Sequence, residues 1–168
     1  MTRELVPQAY TEHAPPPPLG EYVECVWTRG MPASPNEQTH VLPDGCIDVV
    51  LSYRTAEAGE PPSAALAVGT MTRPLVVAAR DACAYVGVRF WPGRALPFIG
   101  VPAAELTDLR VDVADLWTDR GSSLEHVNGV DVTGVRATFE RLLLYRLNTA
   151  RPLDRTVDAA VRAITETR

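Results

Sequence analysis

Two hydrophobic periods divide this chain near residue 113. Between positions 46 and 54 apolar side chains alternate, with Ile47, Val49, Leu51 and Tyr53 on one side and Asp48, Val50, Ser52 and Arg54 on the other. That is the period of a strand with two unlike faces. Positions 84–91 repeat it more strictly, setting Ala84, Val86, Val88 and Phe90 against Tyr85, Gly87, Arg89 and Trp91. Positions 39–42 predict another strand, and Pro43-Asp44-Gly45 a tight turn in which Pro pre-sets φ and Gly supplies φ > 0. Together these predict a hairpin running from 39 to 54. Positions 66–70 and 75–79 predict short strands on either side of Arg73-Pro74, and 19–28 a turn leading into a strand at 25–29. Positions 56–64, with Gly59, Pro61 and Pro62, predict a loop.

Beyond 113 the spacing becomes helical. Val135, Phe139, Leu142, Leu143 and Leu147 mark one face of a long amphipathic helix, with Arg136, Glu140 and Arg141 outside it. Shorter helical turns are predicted at 95–99, closed by Gly100 and Pro102, and at 103–106, 114–117 and 123–127. Pro152 breaks the chain, and Asp154 reads as the N-cap of a last helix with Val157, Ala160, Val161 and Ile164 at i, i+3, i+4 and i+7. Strands first and helices last, without βαβ alternation, predict an α+β, mainly β architecture: a barrel or sandwich with helices packed on it. Four successive prolines, Pro15 to Pro18, predict an extended polyproline arm over residues 1–18. A β core at 19–112, a helical region at 113–150 and a further helical start at 151–168 complete the organisation.

Composition removes several kinds of chemistry. All 16 basic residues are arginine, so Schiff-base, P-loop and lysine-base mechanisms are excluded. A net charge of −5 argues against nucleic-acid binding through this surface, because phosphate neutralisation needs clustered cations. Three widely spaced cysteines, Cys25, Cys46 and Cys83, fit a reduced, cytoplasmic protein better than a disulfide framework. Neither a secretory h-region nor an apolar run of about 20 residues is present, so no membrane partner is expected.

The remaining candidates are few. His13, His40 and His126 stand alone, without the paired spacing of a barrel metal site. His40 and Cys46, with Asp44 or Asp48, are the nearest approach to a ligand set, but they read more simply as turn and strand residues. No metal or other cofactor is expected. No G-x-S-x-G, no G-x-G-x-x-G and no Cys/His/Asn signature occurs, so no catalytic residue is assigned. The second face of the 84–91 strand is more promising. Flat aromatic walls and one fixed cation would suit an anionic or carbonyl-bearing ligand. Trp27, His40, Tyr53, Arg89 and Trp91 are therefore the candidate ligand contacts. The competing reading puts Trp27 and Trp91 in the core and leaves Arg89 exposed or paired with Asp48. For the long helix, covering the barrel is the commoner role for such an apolar face, and its width also leaves room for pairing with a second subunit through Phe139, Leu142, Leu143 and Tyr145.

Two segments carry a resemblance to a known family. LPDGCID at 42–48 and RFWPGRALPFIGVP at 89–102, preceded by Tyr22-Val23 and Trp27 and followed by Leu116-Trp117, resemble the amino-terminal sensor domain of bacterial AraC-type transcription regulators. The resemblance covers nearly the whole chain. It implies a cupin-like β-barrel followed by helices for dimerisation, an unknown small-molecule effector, and a homodimer. It also implies that DNA is bound only through a C-terminal pair of helix-turn-helix units, of which 151–168 matches just the opening helix. A small free-standing cupin-like isomerase or lyase, or a ligandless dimerisation module, are the alternatives.

Overall fold

The computed structural model describes residues 10–30, 38–54, 64–78, 83–117, 132–149 and 154–165. Its strands are β1 (Thr11–His13), β2 (Val23–Arg29), β3 (Gln38–Val41), β4 (Ile47–Arg54), β5 (Ala64–Val68), β6 (Leu75–Ala78), β7 (Cys83–Phe90) and β8 (Arg110–Asp112). Its helices are α1 (Leu96–Ile99), α2 (Val113–Leu116), α3 (Val132–Thr149) and α4 (Arg155–Thr165), with 3-10 turns at Pro17–Leu19 and Ala103–Leu106. The fold is thus α+β with an antiparallel sheet and C-terminal helices. The helix expected at 123–127 lies outside the described residues. Among those described, no helix is long and apolar enough to cross a membrane.

Among the described residues two sheets form: six strands in the order β1-β2-β7-β4-β5-β8, and a separate pair, β3-β6. Every pairing is antiparallel. No ladder joins the two sheets among the described residues, so hydrogen bonds do not close the structure into a barrel.

The hairpin expected across Pro43-Asp44-Gly45 does not form. β4 is paired along both edges, with β5 and with β7, which leaves no edge for β3. The turn instead hands the chain from the small sheet to the large one. Gly45 takes φ of 80°, and Asp44 Oδ1 accepts from the Cys46 amide at 2.9 Å, an Asx turn that re-aims the backbone without returning it in register. The segment around Arg73-Pro74 makes the opposite crossing, from β5 to β6. The polyproline arm is corrected over its described part, 10–18, residues 1–9 lying outside the described residues. Thr11–His13 pairs with β2 as an edge strand, and Pro17–Leu19 is a 3-10 turn that buries Leu19.

The main core lies between the large sheet and the helices. Val49, Leu51, Val86, Val88 and Phe90 are inaccessible, and so are Phe98 of α1 and Phe139 and Leu143 of α3. α3 packs on α1, β2 and β7, and the Phe98 ring stands 4.9 Å from Phe90 and 5.4 Å from Tyr22. The carbonyl of Phe98, left without a helical partner, accepts from Trp117 Nε1 at 2.9 Å and from Arg146 Nε at 3.1 Å. The Arg146 guanidinium also lies 4.3 Å over the Trp117 ring, which pins α3 to the turn after α2.

This packing overturns most of the expected dimer seam. Phe139, Leu142 and Leu143 are buried in the chain's own core, because the apolar stripe of α3 is consumed by the sheet beneath it. Tyr145 alone of the four is exposed.

Candidate ligand-binding site

Strand alternation leaves the other face of the large sheet turned away from the helices, towards β3 and β6. Directly paired residues share a face, and the register arranges them in three cross-strand rows. One row is Arg89, Asp48, Val68 and Arg110. The next is Trp27, Gly87, Val50 and Leu66. The third is Arg29, Tyr85, Ser52 and Ala64. The floor is therefore apolar along its middle and polar on both sides. Thr39 and Val41 of β3 pair with Val77 and Leu75 of β6 to form the roof. Between floor and roof lies a cavity of about 250 Å³, lined by all of these residues except Gly87.

Gly87 is absent from the lining because Trp27 covers it. A Cβ at Gly87 would stand 2.1 Å from Trp27 Cε2, so only glycine lets the indole lie across the strand. From there Trp27 Nε1 donates to Asp48 Oδ2 at 3.2 Å. Tyr10 adds a second aromatic wall, its ring 5.8 Å from that of Trp27 and its hydroxyl donating to Glu12 at 2.7 Å. Burial, and then the Glu12 hydrogen bond, push the Tyr10 phenol upward in pKa.

Arg89 is the charged centre of the cavity. Its Nε donates to Asp48 Oδ1 at 3.3 Å, and it also faces Asp44 at 3.6 Å and Glu12 at 3.9 Å. Burial works against its charge, but Asp48, Tyr10 and Asp44 outweigh that and raise its pKa. Burial of Asp48 pushes its carboxyl up to about 6 despite the pull of Arg89 and the two hydrogen bonds. The neighbouring thiols are inert at neutral pH: burial and then Glu12 push Cys25 up to about 11, and burial and then Asp44 push Cys46 higher still. Among the described residues no three His, Cys, Asp or Glu side chains group as a metal site. The arrangement suits holding a small molecule by apolar contact with a few polar groups to orient it.

Asp44, Cys46 and Arg89 are a shared wall. On its far side runs a groove of about 670 Å³ bounded by Trp91, Pro92, Arg94 and, from α4, Val161 and Arg162. α4 is held there by Arg94, which is 9% exposed, donates to the Glu21 carbonyl at 2.6 Å and pairs with Asp158. Asp154 caps the helix as expected, accepting from Thr156 N at 2.8 Å. Its apolar stripe is largely unused: Val157 is 50% and Ile164 71% exposed.

Of the residues expected to contact a ligand, Trp27 and Arg89 meet in the cavity. Arg89 also pairs with Asp48, so the two readings of that arginine hold together. His40 is exposed on the outer side of the roof, because it alternates with Thr39 and Val41, which take the inner positions. Trp91 is 41% exposed and borders the outer groove, since β7 ends at Phe90 and the chain turns away at Pro92-Gly93. Tyr53 occupies a β4 position paired with Ala84, and its side chain lies outside the described residues. The expectation missed Tyr10, Val50, Tyr85 and the roof. Period-two alternation already placed Val50 and Tyr85 on the faces of Asp48 and Arg89, so that signal was available. The roof had none, since no local pattern states that β3 and β6 pair.

Comparison with known proteins supplies a family and little more. Residues 11–112 match the family DUF6597, described as a domain of unknown function. No curated protein and no solved structure matches the chain.

Proposed function

We propose that this chain, which belongs to the DUF6597 family, is the effector-sensing part of an AraC-type transcription regulator and binds its small-molecule signal between the two sheets. The observation that carries this reading is the cavity itself. Eight strands leave about 250 Å³ unfilled behind a floor whose residues alternate cleanly with a fully packed core. In this reading the two sheets are a cupin-like barrel laid open at its seam, and α4 is the opening helix of the DNA-reading region. The sequence segments at 42–48 and 89–102 support it, since they build the wall between cavity and α4. Asp44, Cys46 and Arg89 come from the first segment and the start of the second, and Arg94 follows five residues on.

Signal transfer follows from that shared wall. A ligand that moves Arg89 changes the groove against which α4 rests, and the equilibrium between docked and released α4 shifts by the ligand's differential affinity for the two. α3, by contrast, is packed into the core through Phe139 and Leu143, and in this reading it is not the moving element. A homodimer in this reading uses surface outside Phe139, Leu142 and Leu143.

Reading the coding sequence past codon 168 tests the proposal. Continuation into roughly 100 residues with two helix-turn-helix units and a basic recognition helix is the expected result. A stop codon directly after Arg168 overturns the regulator reading.

A further inference from the structure

The polar row of the cavity is incompletely used. Arg89 directs only its Nε to a hydrogen-bond partner; among the described residues its two terminal amino groups make none, the nearest acid being Glu12 at 3.9 Å. Asp48, with a side chain 18% exposed, holds one hydrogen bond on each oxygen, at 3.2 and 3.3 Å, long for bonds to an ionised group. A carboxylate has about four acceptor positions and a guanidinium five donors, so unspent donors and unspent acceptors stand side by side, one strand apart. Both side chains are half-buried at the cavity, 23% exposed for Arg89 and 18% for Asp48, so these spare positions are within reach of a ligand that offers partners.

Charge decides which ligand. Arg89 already faces three carboxylates within 4 Å, and Arg29 and Arg110 in the same lining bring the charges around the cavity to three of each sign, so a further anion finds no net positive surround. A cation at Asp48 meets the Arg89 guanidinium in the same row. The middle row, Trp27, Val50 and Leu66, offers apolar contact only. The volume falls just below the range for drug-sized ligands, which fits one or two fused rings.

We infer that the cavity takes an uncharged, flat, mostly apolar molecule whose polar edge sets a hydrogen-bond acceptor beside a donor, as in a lactam or cyclic imide. The acceptor meets the terminal amino groups of Arg89, the donor meets Asp48, and the ring system lies along Trp27, Val50 and Leu66. This inference rests on the pocket reading above and specifies its ligand.

Calorimetric titration of the purified chain with four probes tests it: 2-quinolinone, its N-methyl derivative, 2-naphthoate and 2-naphthylmethylamine. The lactam is expected to bind at least tenfold more tightly than the other three. Asp48→Ala is expected to weaken the lactam tenfold or more while leaving the N-methyl compound, which keeps the carbonyl but has no N–H to donate, within threefold, and the cavity-filling Val50→Phe to abolish binding of every probe. Tighter binding of the naphthoate or the amine, or equal binding of lactam and N-methyl lactam, overturns the ligand class and leaves the pocket standing, provided Val50→Phe removes that binding. If no probe binds, or if binding persists unchanged in Val50→Phe, both the ligand class and the pocket reading fall.

Discussion

Neighbouring residues of β7 meet two different environments. Val86, Val88 and Phe90 are inaccessible beneath α1 and α3, whereas Tyr85 and Arg89, one position away, line a cavity. The strands are the same, and so is their register. The covers differ. α3 and α1 present large side chains that interdigitate with the sheet, with Phe98 and Phe139 filling what the valines leave. The other cover is two strands of four residues each, and alternation lets only half of their side chains face inwards. One face is therefore a core in which volume is conserved closely. The other is a vault in which volume is left over and polar rows survive. A single sheet can stabilise the fold and host a site because the two tasks fall on alternate residues.

The comparison breaks or sharpens at four points. Phe139→Ala opens a void on the packed face and should cost about 3–5 kcal/mol in urea unfolding; a loss below about 1 kcal/mol would mean that α3 is not part of the core. Gly87→Ala tests the one tight spot on the vault face. It should cost about 1–3 kcal/mol by driving the Trp27 indole off the strand, and tryptophan emission should shift to longer wavelength as that ring meets water. An unchanged spectrum would contradict the close approach of Trp27 to Gly87.

The third point is electrostatic. The Asp48 carboxyl titrates near 6 in the folded chain against 3.8 in its ordinary state, so the folded chain binds this proton first as pH falls. The free energy of unfolding from this group is then greatest below about pH 4 and declines as pH rises through 6, by roughly 3 kcal/mol in total. Comparing wild type with Asp48→Asn at pH 5 and pH 7.5 should show the wild type gaining relative stability at the lower pH. A gain at the higher pH would reverse the sign and mean that Arg89 dominates over burial. The smallest effect is expected at Val50. Enlarging it to Phe should change stability by less than about 1 kcal/mol because room exists, while Val88→Phe on the packed face should cost about 1–3 kcal/mol. Equal costs at the two positions would show the vault to be already full.

Much of this was legible along the chain. The alternation assigned residues 47–52 of β4 and 84–90 of β7 to their correct faces, since the two-residue period is a local property of extended backbone. Asp154 as N-cap, Gly100 as the left-handed end of α1 and the apolar face of α3 were equally local. Trp27, Arg89 and its pairing with Asp48 followed from those faces. His40 and Trp91 were misplaced for different reasons: His40 alternates with Thr39 and Val41, which take the inner positions of the small sheet, whereas Trp91 follows the end of β7, where a period says nothing about which way the chain turns next. The face of α3 was read correctly with two partners open, the sheet and a second subunit, because apolar spacing states that a surface is covered without stating by what; the sheet takes Phe139, Leu142 and Leu143.

Sequence alone determined the elements, their faces and the exclusion of lysine chemistry, all consequences of neighbours within a few positions. Tertiary structure alone decided that β3 leaves β4 to pair with β6, that the vault between the sheets stays open, and that Arg94 and Asp158, 64 positions apart, join the last helix to the wall of that vault. Those outcomes depend on which edges remain free after every other strand has paired, a property of the whole sheet that no single segment carries.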